Sequence, residues 1–312
     1  MKKGIVAILL LFYLHSTSQA PLSKITQRIF LGDVTATVDE PVPAKRYKET
    51  IVVLFALPNG NTTAQTMGKK ITPGDDWHYD IQHIKAQTAF LRNALPSKRI
   101  IVIYLENKMK SWPAWKKAHA AFKSEIPAII DSLWRSFPGK NITLQLCAHS
   151  GGGAFLFGYL DGIEAVPSYL KRISFIDANY GYDSSYAPKL VDWLKGVKNA
   201  RLNVFAYNDS VALYNGKPVV SATGGTWYKS GEMRKDFSPH FPLQEEKTDS
   251  IIIIYKSPHL AFYLKPNADR GIYHTQQVEL NGFIHSVLAG TKLDSKAYSY
   301  YGKRAYQELI SP

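Results

Sequence analysis

The chain has 312 residues, 45% of them hydrophobic, and 38 Lys and Arg against 25 Asp and Glu give a formal charge of +13. That length and apolar content fit one large domain with a full core, not a disordered or fibrous chain. The basic residues are scattered in short clusters, with no Arg/Lys stripe interleaved with aromatics and no nucleic-acid motif, so no nucleic-acid partner is expected. Cys147 is the only cysteine, which excludes an internal disulfide and leaves stability to the core. Cys147 itself is expected to be a small buried hydrophobe.

Met1-Lys2-Lys3, the apolar run 4–14 and Ser18-Gln19-Ala20 have the form of a secretory signal peptide cut after Ala20. The apolar run is too short to span a bilayer, so no stable membrane insertion is expected after cleavage. Removing Lys2 and Lys3 lowers the net charge to about +11. The expected location is secreted or periplasmic, and residues 21–312 are expected to form a single domain. A basic, solvated surface would be attracted weakly to anionic envelope polymers or acidic glycans.

Residues 25–38 alternate loosely around Gly32-Asp33 and read as an N-terminal hairpin or edge strands. Pro41-Val42-Pro43 and residues 46–49 read as a loop. The continuous apolar run 50–57 is a central strand covered on both faces, ended by a turn at Pro58-Asn59-Gly60-Asn61-Thr62. Residues 81–95 form an amphipathic helix stopped by Pro96, and 99–105 the next buried strand. Trp112, Pro113 and Trp115 read as loop, and 122–137 as a helix with Ile126, Ile129, Ile130 and Leu133 on one face. A short strand over 141–147, set off by Pro138-Gly139-Lys140, leads through Ala148-His149-Ser150-Gly151-Gly152 into a helix over 154–160. Further on come a strand at 173–178, a helix at 186–194 ended by Gly196, and a strand at 201–207 ending at Asn208-Asp209. Residues 210–250 look loop-rich, an insertion or lid beside the site. Residues 251–255 read as the last strong strand, 275–288 as a helix and 291–312 as a polar, tyrosine-rich tail. Strands alternating with helices predict an α/β fold, a mostly parallel central sheet with helices on both faces.

The strand–turn–helix around Ser150 has the form of a nucleophile elbow: the serine sits at the tip of a tight turn, with small neighbours that let strand and helix pack closely. The helix N-terminus behind Ser150 favours negative charge developing in front of it. This resembles the α/β-hydrolase superfamily, with Ala148 where the usual motif has its first glycine. The resemblance extends over about residues 50–288 and implies the chain order serine, acid, histidine. His274 in Gly271-Ile272-Tyr273-His274 precedes the final helix, where the superfamily carries its base. His259 is the runner-up, His285 is expected to be a packed helical residue, and His149 to support structure. For the acid, Asp209 at the end of the 201–207 strand is favoured, Asp177 is the alternative and Asp183 a third candidate. Two backbone N–H groups are needed for an oxyanion. Gly151 supplies one, and the loop Asn59-Gly60-Asn61 is expected to supply the other.

His78 and His83 with Asp75, Asp76 and Asp80 match no ligand motif, so no metal is expected, and a polar loop lining the site entrance is the reading. No P-loop or dinucleotide fingerprint is present, and no cofactor is needed. The resemblance implies a serine esterase acting through an acyl-enzyme on a small-molecule or glycan ester. The aromatics Trp77, Trp112, Trp115, Tyr180, Tyr182, Trp227 and Tyr228, near predicted loops, would suit a carbohydrate ester, and core packing would account for them equally well. Two other readings stay open: an amidase or peptidase with the same triad, and a non-catalytic envelope or glycan-binding protein on a hydrolase scaffold. Oligomeric state is not legible.

Overall fold

Long apolar runs in this chain become the parallel strands of one sheet, because only a strand covered on both faces hides every side chain. The computed structural model describes residues 22–42, 47–139, 141–248 and 252–312. The expected signal peptide, Pro43, Arg46, Lys140 and Ile251 lie outside the described residues. The strands are β1 (Ser23–Phe30), β2 (Val34–Pro41), β3 (Glu49–Ala56), β4 (Lys98–Asn107), β5 (Ile142–His149), β6 (Leu170–Ile176), β7 (Arg201–Tyr207), β8 (Leu213–Tyr214), β9 (Lys217–Pro218), β10 (Gln244–Lys247), β11 (Ile253–Lys256) and β12 (Leu260–Lys265). Ten of them make one sheet in the order β1-β2-β4-β3-β5-β6-β7-β12-β11-β10. The stretch from β4 to β12 is parallel throughout. Antiparallel strands close both ends, β1 and β2 at one and β11 and β10 at the other. The fold class is therefore as expected: a mostly parallel sheet between two layers of helix.

One face is covered by α3 (Trp112–Ala118), α4 (Phe122–Arg135), α5 (Gly153–Asp161), α6 (Ala187–Gly196) and α7 (Gly225–Phe237). The other carries α2 (Ile84–Ala94), α8 (Gln276–Glu279), α9 (Gly282–Leu288) and the C-terminal segment. A short α1 (Thr63–Met67) follows β3, started by a capping box between Thr62 and Gln65.

Four expectations are corrected. Trp112 and Trp115 lie in helix α3, not in a loop: Ser111 Oγ accepts the Ala114 N–H and Pro113 sits in the first turn, where its missing N–H costs nothing. Both indoles are core residues, at 1% and 0% exposure. The 210–250 stretch is not loop-rich, since it holds α7, whose buried residues Thr226, Ser230, Met233 and Phe237 recur at helical spacing. Gly225 opens that helix and Pro239 follows it, so neither breaks it, and the two hydroxyls in its buried stripe hide the period. The last parallel strand is β12, while Ile253–Lys256 is a half-buried antiparallel neighbour near the sheet end. His259 thus precedes the last strand. Finally, the 275–288 helix breaks at Asn281, at φ +67°, into α8 and α9, and the tail beyond packs: Tyr306 is fully buried.

Candidate active site

The turn after β5 is dictated by close packing. Ser150 has φ +55°, a conformation that non-glycine residues adopt only when surrounding structure holds them there. A Cβ on Gly152 would lie 2.2 Å from the Ala56 carbonyl oxygen, so only glycine lets the turn press against the end of β3. Ala148, fully buried, fits the position usually taken by the motif's first glycine. Cys147 is buried as expected, and burial pushes its thiol up to about 12, far from a reactive thiolate.

His274 lies in the loop between β12 and α8. Its Nδ1 is 2.5 Å from Asp177 Oδ2. Asp177 itself follows β6, is fully buried, and has φ +46°. An Nδ1–H donated to that carboxylate leaves Nε2 as the basic nitrogen. The ring of His149, next in sequence to Ser150, stacks on the His274 ring with centroids 4.6 Å apart. His149 Nε2–H donates to the His274 carbonyl at 3.2 Å. Burial, and then the charge of His274, hold His149 well below the usual histidine range, so its ring stays neutral beside His274. Among the described residues no hydrogen bond joins Ser150 Oγ to His274.

Asp209, expected beside His274, stands elsewhere, and the carboxylate that meets the histidine is the alternative one, Asp177. Asp209 is buried at the N-terminus of α7. It accepts the Thr226 N–H at 2.8 Å and the Trp227 N–H at 3.3 Å. These are amides that a helix start leaves without internal partners. Gly225 makes this approach possible: it has φ +83°, and a Cβ there would lie 2.4 Å from Asp209 Oδ2. The Thr226 hydroxyl lies between the two acids, donating to Asp177 Oδ1 and 3.3 Å from Asp209 Oδ2. Burial first, and then the charge of Asp177, raise the Asp209 carboxyl to about 6. Thr226 and Gly225 went unnoticed in the sequence. The only trace they left there is the Gly224-Gly225-Thr226 cluster, which reads equally as a loop. Asp183 is exposed and caps the turn Ser184–Tyr186.

The loop after β3 reaches the elbow. A Cβ on Gly151 would collide with the Asn59 side chain at 2.1 Å, so Asn59 packs directly against the residue after Ser150. Gly60 turns the loop at φ +81°, but its N–H is donated to the Lys110 carbonyl at 2.8 Å. Asn61 is buried with Nδ2 unpartnered. The loop is anchored below by Glu106, which accepts both the N–H and the hydroxyl of Thr63 at 2.7 Å.

His285 is buried among Tyr263, Tyr298 and Tyr300, the packed residue expected. Among the described residues no cluster of His, Cys, Asp and Glu could hold a metal ion. Asp80 and His83 instead form a network with Arg304, which also reaches Glu279. Tyr180 is partly exposed and edge-on to His274, whereas Tyr182 is core.

The strand order with a parallel centre, the serine turn after β5 and the histidine loop after the last parallel strand decide the architecture. This is the α/β-hydrolase fold. No family model matches the chain, and no curated protein matches its sequence. Among solved structures it is similar to a mutant of the feruloyl esterase module from Clostridium thermocellum complexed with sinapinate, at 12% identity over 92% of this chain and 95% of that one, TM-score 0.49. It is similar to a thermostable esterase at 13% identity and TM-score 0.48, covering 86% of this chain but only 62% of that one. A siderophore hydrolase from Aspergillus nidulans matches at 11% identity over 93% of this chain and 100% of that one, TM-score 0.46.

Proposed function

We propose that the protein is a serine hydrolase that cleaves an ester through an acyl-enzyme, with Ser150 as nucleophile, His274 as base and Asp177 as the acid that orients it. The observation carrying this reading is the 2.5 Å contact between His274 Nδ1 and Asp177 Oδ2, with the His274 ring stacked on that of His149, whose neighbour in sequence is a serine held at φ +55° in an elbow. Ser150 Oγ forms a bond to the ester carbonyl carbon while its proton passes to His274 Nε2. The Gly151 N–H, with a donor from the Asn59–Asn61 loop, holds the oxyanion. Because the Gly60 N–H is already spent on Lys110, the loop's donor is an asparagine group. The alkoxide then leaves with the proton from His274, water adds to the acyl carbon by the same base, and Ser150 is restored. The substrate is a small-molecule or glycan ester met outside the cytoplasm, a location supported by Lys2-Lys3, the apolar run and Ser18-Gln19-Ala20. Sequencing the N-terminus of exported protein tests that location: Pro21 is expected, and a retained Met1 contradicts it.

Labelling with a fluorophosphonate probe tests the chemistry. Wild type is expected to label at one serine. Ser150→Ala is expected to lose both labelling and turnover of p-nitrophenyl esters, by on the order of 10³-fold or more in kcat. A folded Ser150→Ala protein with near-normal turnover sinks the hydrolase reading. Faster turnover of p-nitroanilides than of the esters assigns the site to amide hydrolysis.

A further inference from the structure

On the sheet edge opposite Ser150, two arginines occupy adjacent register positions. Arg172 of β6 pairs with Arg201 of β7 across parallel strands, whose backbones lie about 4.8 Å apart. Both are more than nine-tenths buried, at 8% and 7% exposure. Two guanidiniums on neighbouring strands repel, and a carboxylate beside them is the usual remedy. Among the described residues neither arginine forms a direct ion pair, and the Asp294 charge that favours the Arg172 cation acts from beyond contact distance. Of the acids nearby, Glu49 pairs with Lys98 at 2.8 Å, and Asp294 accepts the Gly290 N–H and lies 3.7 Å from His285.

Each guanidinium has five N–H donors. Arg172 donates to the Ala289 carbonyl at 2.9 Å. Arg201 donates to Asn203 Oδ1 and to the Pro258 carbonyl and lies beside the Tyr263 hydroxyl. These bonds fix both side chains and leave donors over. Burial, and behind it the charge of Arg201, push the Arg172 guanidinium down to about 9.

Both arginines line a cavity of about 650 Å³ at the starts of the parallel strands. Lys98, Lys171 and Lys292 also line it, and Glu49 is the only acid among the described residues of its wall. Ile51, Leu95, Val287, Leu288 and Leu293 supply an apolar wall. A single phosphate would fill a small part of that volume, which suits a ligand with an organic body.

We propose that this cavity is a binding site for a phosphate monoester of a small organic molecule, its phosphate held between the Arg172 and Arg201 guanidiniums and its organic part against the apolar wall. The planar forks match phosphate oxygens two at a time, and a dianion removes the repulsion that the empty pair leaves standing. The site is independent of the ester chemistry at Ser150, which lies at the other end of the strands.

Calorimetric titration of the full chain with phenyl phosphate and with inorganic phosphate, at constant ionic strength, tests the proposal. Saturable one-to-one binding of phenyl phosphate is expected, at least tenfold tighter than inorganic phosphate and unchanged in Ser150→Ala. Equal affinity for the two probes overturns the monoester assignment in favour of the free ion. Arg172→Gln is expected to weaken phenyl phosphate binding at least tenfold. Because that change lies in a strand interior, the double variant of the half-buried Lys171→Glu and the exposed Lys292→Glu is a second measure, expected to weaken binding about tenfold. No saturable binding to wild type, or unchanged binding in either folded variant, overturns the site.

Discussion

Two carboxylates end neighbouring strands, and a single threonine hydroxyl between them divides their work. Asp177 faces His274, whereas Asp209 faces the amides of α7. On the proposed reading, Asp177→Asn is expected to lower kcat by about 10⁴. Asp209→Asn is expected to change it less than about tenfold, because the asparagine carbonyl still accepts from Thr226. Steady-state kinetics of the two variants on one ester checks this. Asp209 also carries a pH signature. Its folded value of about 6 lies above its ordinary 3.8, so burial favours the protonated acid. The stability this contributes is present below about pH 4 and is lost as pH rises through about 6. Denaturant unfolding at a series of pH values is expected to show wild type losing up to about 3 kcal/mol relative to Asp209→Asn across that window. A flat difference would remove the ionisation from the account. Ser150 and His274 stand out as candidates in the sequence because the elbow and the chain order are local signals. It left Asp177 and Asp209 undecided because both end apolar strands. Their roles separate only through Thr226, 49 and 17 residues further on.

Helix α7 shows what makes an element hard to read. Its buried stripe begins with Thr226 and Ser230, so hydrophobic periodicity is nearly silent, and its first residue is a glycine. The elements with unbroken apolar runs or clean amphipathic faces, such as β3, β4, α2 and α4, were legible within a few residues. The two α7 glycines give opposite expectations under the same substitution. Gly225→Ala must place a Cβ at φ +83° and 2.4 Å from Asp209, and is expected to destabilise the protein by about 2 kcal/mol or more. Gly231 lies exposed in mid-helix with open space around it, so Gly231→Ala is expected to stabilise by about 0.5–1 kcal/mol. Thermal unfolding of the pair measures both, and a stable Gly225→Ala would show that the Asp209–α7 junction tolerates movement.

The molecule is closed at its C-terminus by a segment whose composition disguises it. Residues beyond 291 are polar and tyrosine-rich, which suggests a solvated tail, yet the rings of Tyr298, Tyr300 and Tyr306 complete the second core. The hydroxyls resolve the paradox. Tyr300 donates to Gln277 and Tyr306 to the Glu279 carbonyl, so each ring is buried with its polar atom satisfied. Asn281, at the break between α8 and α9, donates to the carbonyls of Ser299 and Lys303 and accepts the Ala305 N–H. Such pairings are invisible in a linear pattern. The sheet's two ends differ in a way that governs self-association. At one end, β10 exposes Gln244, Glu245, Glu246 and Lys247. At the other, β1 exposes Ile25 at 43% and Ile29 at 70%. An open edge invites another strand unless charge guards it. β10 exposes only polar and charged residues, whereas β1 sets Ile25 and Ile29 among Lys24 and Arg28, so edge pairing by a second copy is expected along β1, where a twofold joint would turn both β10 edges outward and stop growth at two chains. Light scattering over a concentration series is expected to find monomer and dimer alone, with Ile29→Lys restoring the monomer, and a ladder of larger species would contradict it.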